Sequence, residues 1–339
     1  LAPDAAVTAR RNPALTFLTL AWPWLFLAAL LLFFELWART AYGATFLFNP
    51  YNLQSIALAA SMPLLLGMGQ TFVIIAGGID LSVGFVMGLT SVVMARTMQN
   101  LGIDPALALL IGIGFAFAVS LIPGAINGTL ISRLGIPAFI GTLGMYGVAR
   151  GTGFLAAGGT TVPVNNDWLF LVGNAKLVGV PVPVVITIVV ALVLHWLLSQ
   201  TRFGQYTYAI GGNRTAAVRA GINVKKHTLL LYMISAGCAG IAGIIYTARF
   251  SAGAAQGGEP LLLDSIAAVV IGGASLFGGS GTILGTVIGA LIIAVIQYGL
   301  VFINVEPFWQ FVAVGIVIIV SVLIDQSRER LVSGVKDER

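Results

Sequence analysis

Charge is scarce in this 339-residue chain: only 9% of its residues are Asp, Glu, Lys or Arg, against 58% hydrophobic. A soluble domain carries roughly 25% charged residues, so a water-covered globule is excluded. One cysteine, Cys238, cannot close an intrachain disulfide, and two histidines, His195 and His227, cannot build a Cys/His metal centre. No G-x-x-x-x-G-K-[ST] string occurs, which removes nucleotide hydrolysis by a phosphate loop. Neither H-E-x-x-H nor G-x-S-x-G is present, and neither histidine has a carboxylate within four residues, so no nucleophile–base pair for an intramembrane hydrolase can be read. No catalytic residue and no metal ligand is assigned.

What the chain has in abundance is apolar length and glycine. Mean hydropathy is +0.99 and there are 42 glycines, a combination that suits a polytopic helical bundle in which small residues let helices approach. A spanning helix needs about 20 apolar residues. Ten segments meet or approach that length: residues 15–37, 53–76, 80–98, 105–131, 138–157, 181–198, 228–249, 261–276, 282–303 and 308–325. The eighth is short and the third follows closely on the second, which leaves nine or eleven spans as alternatives. Arg10 and Arg11 precede the first run as in a signal peptide, but the run is long and no small-residue cleavage site closes it, so it reads as a retained span.

The net charge of +5 does not indicate nucleic acid, because the basic residues are scattered between apolar runs. They act as topology signals instead. With the N-terminus inside, the inner segments hold 12 of the 17 Lys and Arg, and Arg39, Arg96, Arg150, Lys176 and Arg249 lie outside or near the outer ends. This bias predicts both termini cytoplasmic and an even number of spans. Residues 158–180 then form an external loop, and residues 199–227 an internal one with five basic residues, Arg202, Arg214, Arg219, Lys225 and Lys226, and no acid.

Three motifs stand out. In GGIDLSVG (77–84), Gly77 and Gly78 free the backbone to leave a helix, and Asp80 and Ser82 are good N-cap residues for the next span. Asp80 is equally readable as an ionisable group lining a solute path or its gate beside a broken helix. In the internal loop, Gly211, Gly212 and Asn213 precede a short run ending at Gly221. Asn213 can cap a two-turn helix, Gly221 can stop it, and Ala216, Ala217 and Ala220 would share one smooth face, a knob for docking. The third motif, 264–292, is glycine-rich around Ser275, with Gly281, Gly285 and Gly289 at spacing four for close packing. Asp264 just before that span reads as a cap.

Arg150 lies within an apolar stretch, where it must snorkel outward, pair with a carboxylate or meet solute. Gln70, Asn127 and Gln297 can either hydrogen-bond across helices or meet a hydroxylated solute.

Together these strings resemble the membrane permease subunit of ribose-type sugar ABC importers. The matching segments are GQTFVIIAGGIDLSVG (69–84), NGTLISRLGIPAFIGTLG (127–144), TRFGQYTYAIGGNRTAAVRAGI (201–222) and LDSIAAVVIGGASLFGGSGTILGTVIGA (263–290). The resemblance implies an all-α permease of the vitamin B12-type (type II) fold in a bacterial inner membrane. It implies a second permease copy or related permease, two cytoplasmic ATPase subunits and a periplasmic sugar-binding protein as partners. No cofactor would bind this chain, since ATP and Mg would sit on the ATPase. Gly204, Gly211, Gly212, Asn213, Ala216, Ala217 and Gly221 would form the ATPase-coupling region. Gln70, Gly77, Gly78, Asp80, Ser82, Asn127, Arg150, Asp264 and Ser275 are the candidates for the path or gate. The competing reading is an ion-coupled secondary sugar transporter using Asp80 and Arg150.

Overall fold

The computed structural model describes residues 13–333. The first helix, α1 (Pro13–Tyr42), is followed by α2 (Pro50–Ile75), α3 (Val83–Asn100), α4 (Pro105–Ser132) and α5 (Ala138–Ala157). The outer loop then holds β1 (Val162–Pro163), α6 (Asp167–Asn174), β2 (Lys176–Leu177) and β3 (Val180–Pro181) before α7 (Val182–Gln200). The basic loop folds into α8 (Arg202–Gly212) and α9 (Arg214–Arg219). The remainder is α10 (Val224–Phe250), β4 (Ala252–Gly253), α11 (Glu259–Ile271), α12 (Ile283–Phe302) and α13 (Phe308–Ser333). Each apolar segment of the sequence overlaps one of these helices, with ends that differ by up to eight residues. The basic residues Arg10, Arg11, Lys336 and Arg339 used in the charge count lie outside the described residues.

Helix starts follow local chemistry. Asn49 caps α2 by accepting from the Tyr51 amide at 3.0 Å, and Asp104 caps α4 by accepting from Ala106 and Leu107, with proline filling the first helical position in both. Thr282 caps α12 through the Gly285 amide at 2.9 Å. Among the described residues, six helices are long and apolar enough to cross a membrane: α1 over Ala21–Tyr42, α2, α4, α7, α10 and α12. This is a multi-pass membrane protein.

The core is built around α2, α10 and α12, whose apolar windows are mostly buried, whereas α1, α4 and α7 turn most of theirs outward. Leu110, Leu192 and Phe311 are about two-thirds exposed, as lipid-facing side chains are. Helix α10 lies against α2, α3 and α4, and α12 against α2 and α11. Glycine permits the closest approaches: a Cβ at Gly124 would fall 2.6 Å from the Tyr232 carbonyl, and one at Gly289 would fall 2.0 Å from that of Ala268. The predicted Gly285 and Gly289 face does press on α11, whereas Gly281 belongs to the preceding turn. The outer loop is tied down by antiparallel pairing of β1 with β4 and of β2 with β3.

Glu35 was given no role by the sequence. It is buried near the end of α1, and its carboxylate accepts from Arg39, from the Thr45 hydroxyl and from the Phe46 and Leu47 amides, fixing the turn into α2.

Candidate functional site

Helix α2 stops where Gly77 takes a φ of +77°, a conformation open to glycine without a Cβ penalty. The Gly77 and Gly78 amides turn back to the Ile74 and Val73 carbonyls at 2.9 Å, and the chain then runs without regular structure until Ser82. A Cβ at Gly78 would lie 2.7 Å from the Tyr232 hydroxyl, so a larger residue there would displace the tip of that side chain.

Asp80 is 1% exposed and is held by oxygen and nitrogen donors alone. Its Oδ1 accepts from the Ser82 amide at 3.0 Å and from the Ser82 hydroxyl at 2.6 Å, while Oδ2 accepts from the Ser235 hydroxyl of α10 at 2.9 Å. Gln70 of α2 donates to the Asp80 carbonyl at 2.6 Å and accepts from its amide at 3.3 Å, and Asn127 of α4 donates to the Ser82 hydroxyl at 3.0 Å. The Asn127 Oδ1 is buried with no hydrogen-bond partner. One network therefore joins α2, the break, α4 and α10. Asp80 is not the N-cap expected from sequence: Ser82 occupies that position, without a side-chain cap bond, and Asp80 forms a two-residue side-chain turn ahead of it. The reason is distance along the chain, since the helix starts at Val83, three residues on from the aspartate.

The basic loop folds as read at its ends. Asn213 Oδ1 accepts from the Ala216 amide at 2.9 Å, and α9 stops at Gly221, which has a φ of +82°. Arg202, Arg214, Arg219, Lys225 and Lys226 are all exposed. Ala217 departs from the expected smooth outer face: it is 4% exposed and packs inward with Ile210 and Val224, leaving Ala216 and Ala220 outside. A six-residue helix must bury one side on its own protein to be held at all. Gly204 sits in the turn from α7, where a Cβ would strike the Leu198 carbonyl. His227 fastens α8 to α10 through the Thr207 hydroxyl at 2.9 Å.

The three motifs converge on one point. The Gly279 amide donates to the Ile75 carbonyl at 2.8 Å, joining the α11–α12 turn to the end of α2. A Cβ at Gly211 would fall 1.7 Å from that same carbonyl and 2.6 Å from the Gly279 nitrogen, and one at Gly278 would lie 3.0 Å from the Gly77 nitrogen and 3.1 Å from the Gly211 carbonyl. Backbone meets backbone between the end of α8, the α2–α3 break and the glycine-rich turn. Tyr208 of α8 donates to the Gly281 carbonyl at 2.7 Å, and burial pushes its phenol pKa up, which keeps it a neutral donor. Ser275 shapes the same turn, accepting from the Phe277 amide at 3.2 Å. A cavity of about 290 Å³ beside the joint is lined by Gly77, Gly78, Pro137, Arg214, Thr228 and Tyr232, among others.

Two candidates lie elsewhere. Asp264 is inside α11, not before it, because Pro260 sets the helix start at Glu259; it accepts from Gln297 of α12 at 2.9 Å. Gln297 is thus the helix-to-helix link that the sequence allowed. Arg150 is exposed on α5 with its guanidinium 5.4 Å from the centre of the Phe85 ring, and makes no salt bridge among the described residues. Ser235 and Tyr208 had no signal in the sequence, since a lone hydroxyl in a small-residue helix and a tyrosine in a loop look ordinary until their neighbours are known.

A multi-helix membrane body with a buried polar break and a basic loop seated directly on that break is the architecture expected of a transport protein. The chain belongs to the family described as branched-chain amino acid transport system / permease component, whose model matches residues 52–322. It is similar to the D-allose transport system permease protein AlsC of Escherichia coli K12, at 40% identity over 81% of this chain and 83% of that protein. It is also similar to the ribose import permease protein RbsC of Bacillus subtilis 168, at 39% identity over 83% and 86%, and to the fructose import permease protein FrcC of Rhizobium meliloti, at 36% over 82% and 79%. No solved structure matches the chain. The protein is a channel-forming permease subunit of an ABC importer, and not itself an enzyme.

Proposed function

We propose that this permease imports a monosaccharide or related polyol, delivered by a periplasmic binding protein, across a bacterial inner membrane. The similarity to allose, ribose and fructose permeases supports a sugar over the amino acids of the family description. In this reading the chain has ten spans of the vitamin B12-type arrangement with both termini cytoplasmic, and it pairs with a second permease. ATP and Mg bind the partner ATPase subunits, which engage residues 199–227.

The observation that carries the reading is the glycine joint. An ATPase pushing on α8 and α9 would move Gly211, and Gly211 rests on the Ile75 carbonyl without an intervening side chain. The displacement would pass into the α2–α3 break and its Asp80 network. Both Asp80 carboxylate oxygens are already engaged by Ser82 and Ser235, which supports a positioning role for Asp80 over the ion-coupled alternative. The test is reconstitution of the permease with its ATPase and binding protein in liposomes, followed by uptake of radiolabelled D-allose, D-ribose and D-fructose. ATP-dependent uptake of one sugar that survives an uncoupler is the expected result. Uptake that needs no ATP and collapses with the uncoupler would overturn it.

A further inference from the structure

Between β4 and α11 the chain descends beside α3 without helical structure. The Ala254 amide donates to the Ser91 hydroxyl at 3.0 Å; a Cβ at Gly88 would strike the Ala255 carbonyl, and one at Gly258 would strike the Gly84 carbonyl. From Ser91 to Gly84 is about 10 Å of helix axis, so residues 254–258 run along the lower half of α3. Ala255 also touches α5 near Gly153. Irregular backbone at membrane depth is tolerated where it is buried in protein or lines a watery cavity. Ala254 and Ala255 are buried, whereas Gln256 and Glu259 are exposed.

Glu259 emerges beside a second group, and the Gln256 carbonyl accepts from its amide at 3.1 Å. The Tyr146 hydroxyl of α5 donates to Glu259 Oε1 at 3.5 Å, and the Tyr146 ring stands edge-on to Phe85 at 4.6 Å. Arg150, one turn on, lies over the same Phe85 ring. Phe85 is fully buried and thereby holds both α5 side chains in position. Arg150, Glu259 and Gln256 are all exposed, and charged side chains on a membrane helix bundle are costly against lipid. They suit a hydroxyl-rich solute: the guanidinium supplies donors, the carboxylate supplies acceptors, the amide supplies both, and the tyrosine offers an aromatic face with a polar tip.

We propose that Tyr146, Arg150, Gln256 and Glu259 form a sugar-contact station within the permease, positioned by Phe85, at which the solute pauses between the binding protein and the cytoplasm. The station rests on the importer reading above and adds that the permease itself discriminates among sugars. A hydrogen bond to a charged group contributes about 1.5–3 kcal/mol, so loss of one hydroxyl contact changes uptake roughly 10-fold or more for the sugar that makes it.

The test uses the reconstituted complex and compares sugars of the panel, each measured as sugar imported per ATP hydrolysed. Tyr146→Phe and Glu259→Gln are mild enough to preserve the fold. The expected result is a change of at least about threefold in the ratio between two sugars, because different hydroxyls meet different groups. An equal fall for every sugar, or no change, overturns the station while leaving the importer reading intact. A wild-type complex that imports none of the panel with ATP overturns the importer reading and the station with it. A second measurement does not depend on transport. Arg150→Cys in a Cys238→Ala background should react with a charged, water-borne thiol reagent, and the transported sugar should slow that reaction about threefold or more. Reaction only with a lipid-soluble reagent, or no protection by sugar, overturns the station in favour of a lipid-facing arginine.

Discussion

Replacing Gly211 with alanine tests the joint directly. The new Cβ would sit 1.7 Å from the Ile75 carbonyl oxygen, 2.6 Å from the Gly279 nitrogen and 2.9 Å from the Ile75 carbonyl carbon. Ordinary contact requires more than 3 Å, so α8 must retreat from the α2 end by about 1.5 Å. Overpacking of this kind costs about 1–3 kcal/mol. The Gly279-to-Ile75 hydrogen bond, squeezed by the same methyl, contributes about another 1 kcal/mol. Together these place the native joint about 2–4 kcal/mol higher, a roughly 30- to 700-fold loss of its population at 1.4 kcal/mol per tenfold. Gly114 of α4, outside the coupling loop, is the control, because a Cβ there meets nothing within 4 Å. The assay is sugar imported per ATP hydrolysed in liposomes holding the whole complex, with membrane levels of the permease matched. Gly211→Ala should hydrolyse ATP but import at least about 10-fold less per ATP, and Gly114→Ala should import as the wild type does. Equal uptake by both variants would refute the joint as the mechanical link.

Three further outcomes follow from the geometry. Asp80→Asn keeps an acceptor for Ser82 and should retain most uptake, whereas Asp80→Leu strands the buried Ser82 amide and Ser235 hydroxyl at about 1–3 kcal/mol each and should abolish it; equal loss in both would point to a charge role. Single cysteines at Val178, on the outer hairpin, and at Thr215, on α9, should label from opposite sides of sealed vesicles, and labelling from one side would overturn the proposed topology. Val178 is a β-branched residue at a φ of +50° beside Gly179 at +80°, so Val178→Asn should raise the unfolding midpoint by relieving about 1 kcal/mol of strain; an unchanged midpoint would show that the hairpin relaxes freely.

Much of the fold could be read from residue order alone, because apolar length and capping are local properties. Asn213 and Gly221 mark the ends of α9 whatever surrounds them. The site itself depended on distance in space. Nothing within 77–84 says that Gly77 will lie beside Gly278, and nothing in RTAAVRA says which alanine turns inward. Asp264 was misplaced for a smaller reason: the pair Glu259–Pro260 is a helix-start signal, and the hydrophobic run after it is more conspicuous. Asp80 was read as a cap because its type and its glycine neighbours fit one, yet the helix begins one residue beyond Ser82.

The Ile75–Gly279 contact also sets an order of assembly. These partners are separated by about 200 residues of chain, so the end of α2 has no seat while the first half of the protein is being made and inserted. Until the α11–α12 turn arrives, the Ile75 carbonyl lacks this partner and the α8 end has only half its socket. The Asp80 network can close once α10 is made, whereas the glycine joint beside it waits for the α11–α12 turn. A chain halted before residue 279 would lack that fastening and the core helix α12 together.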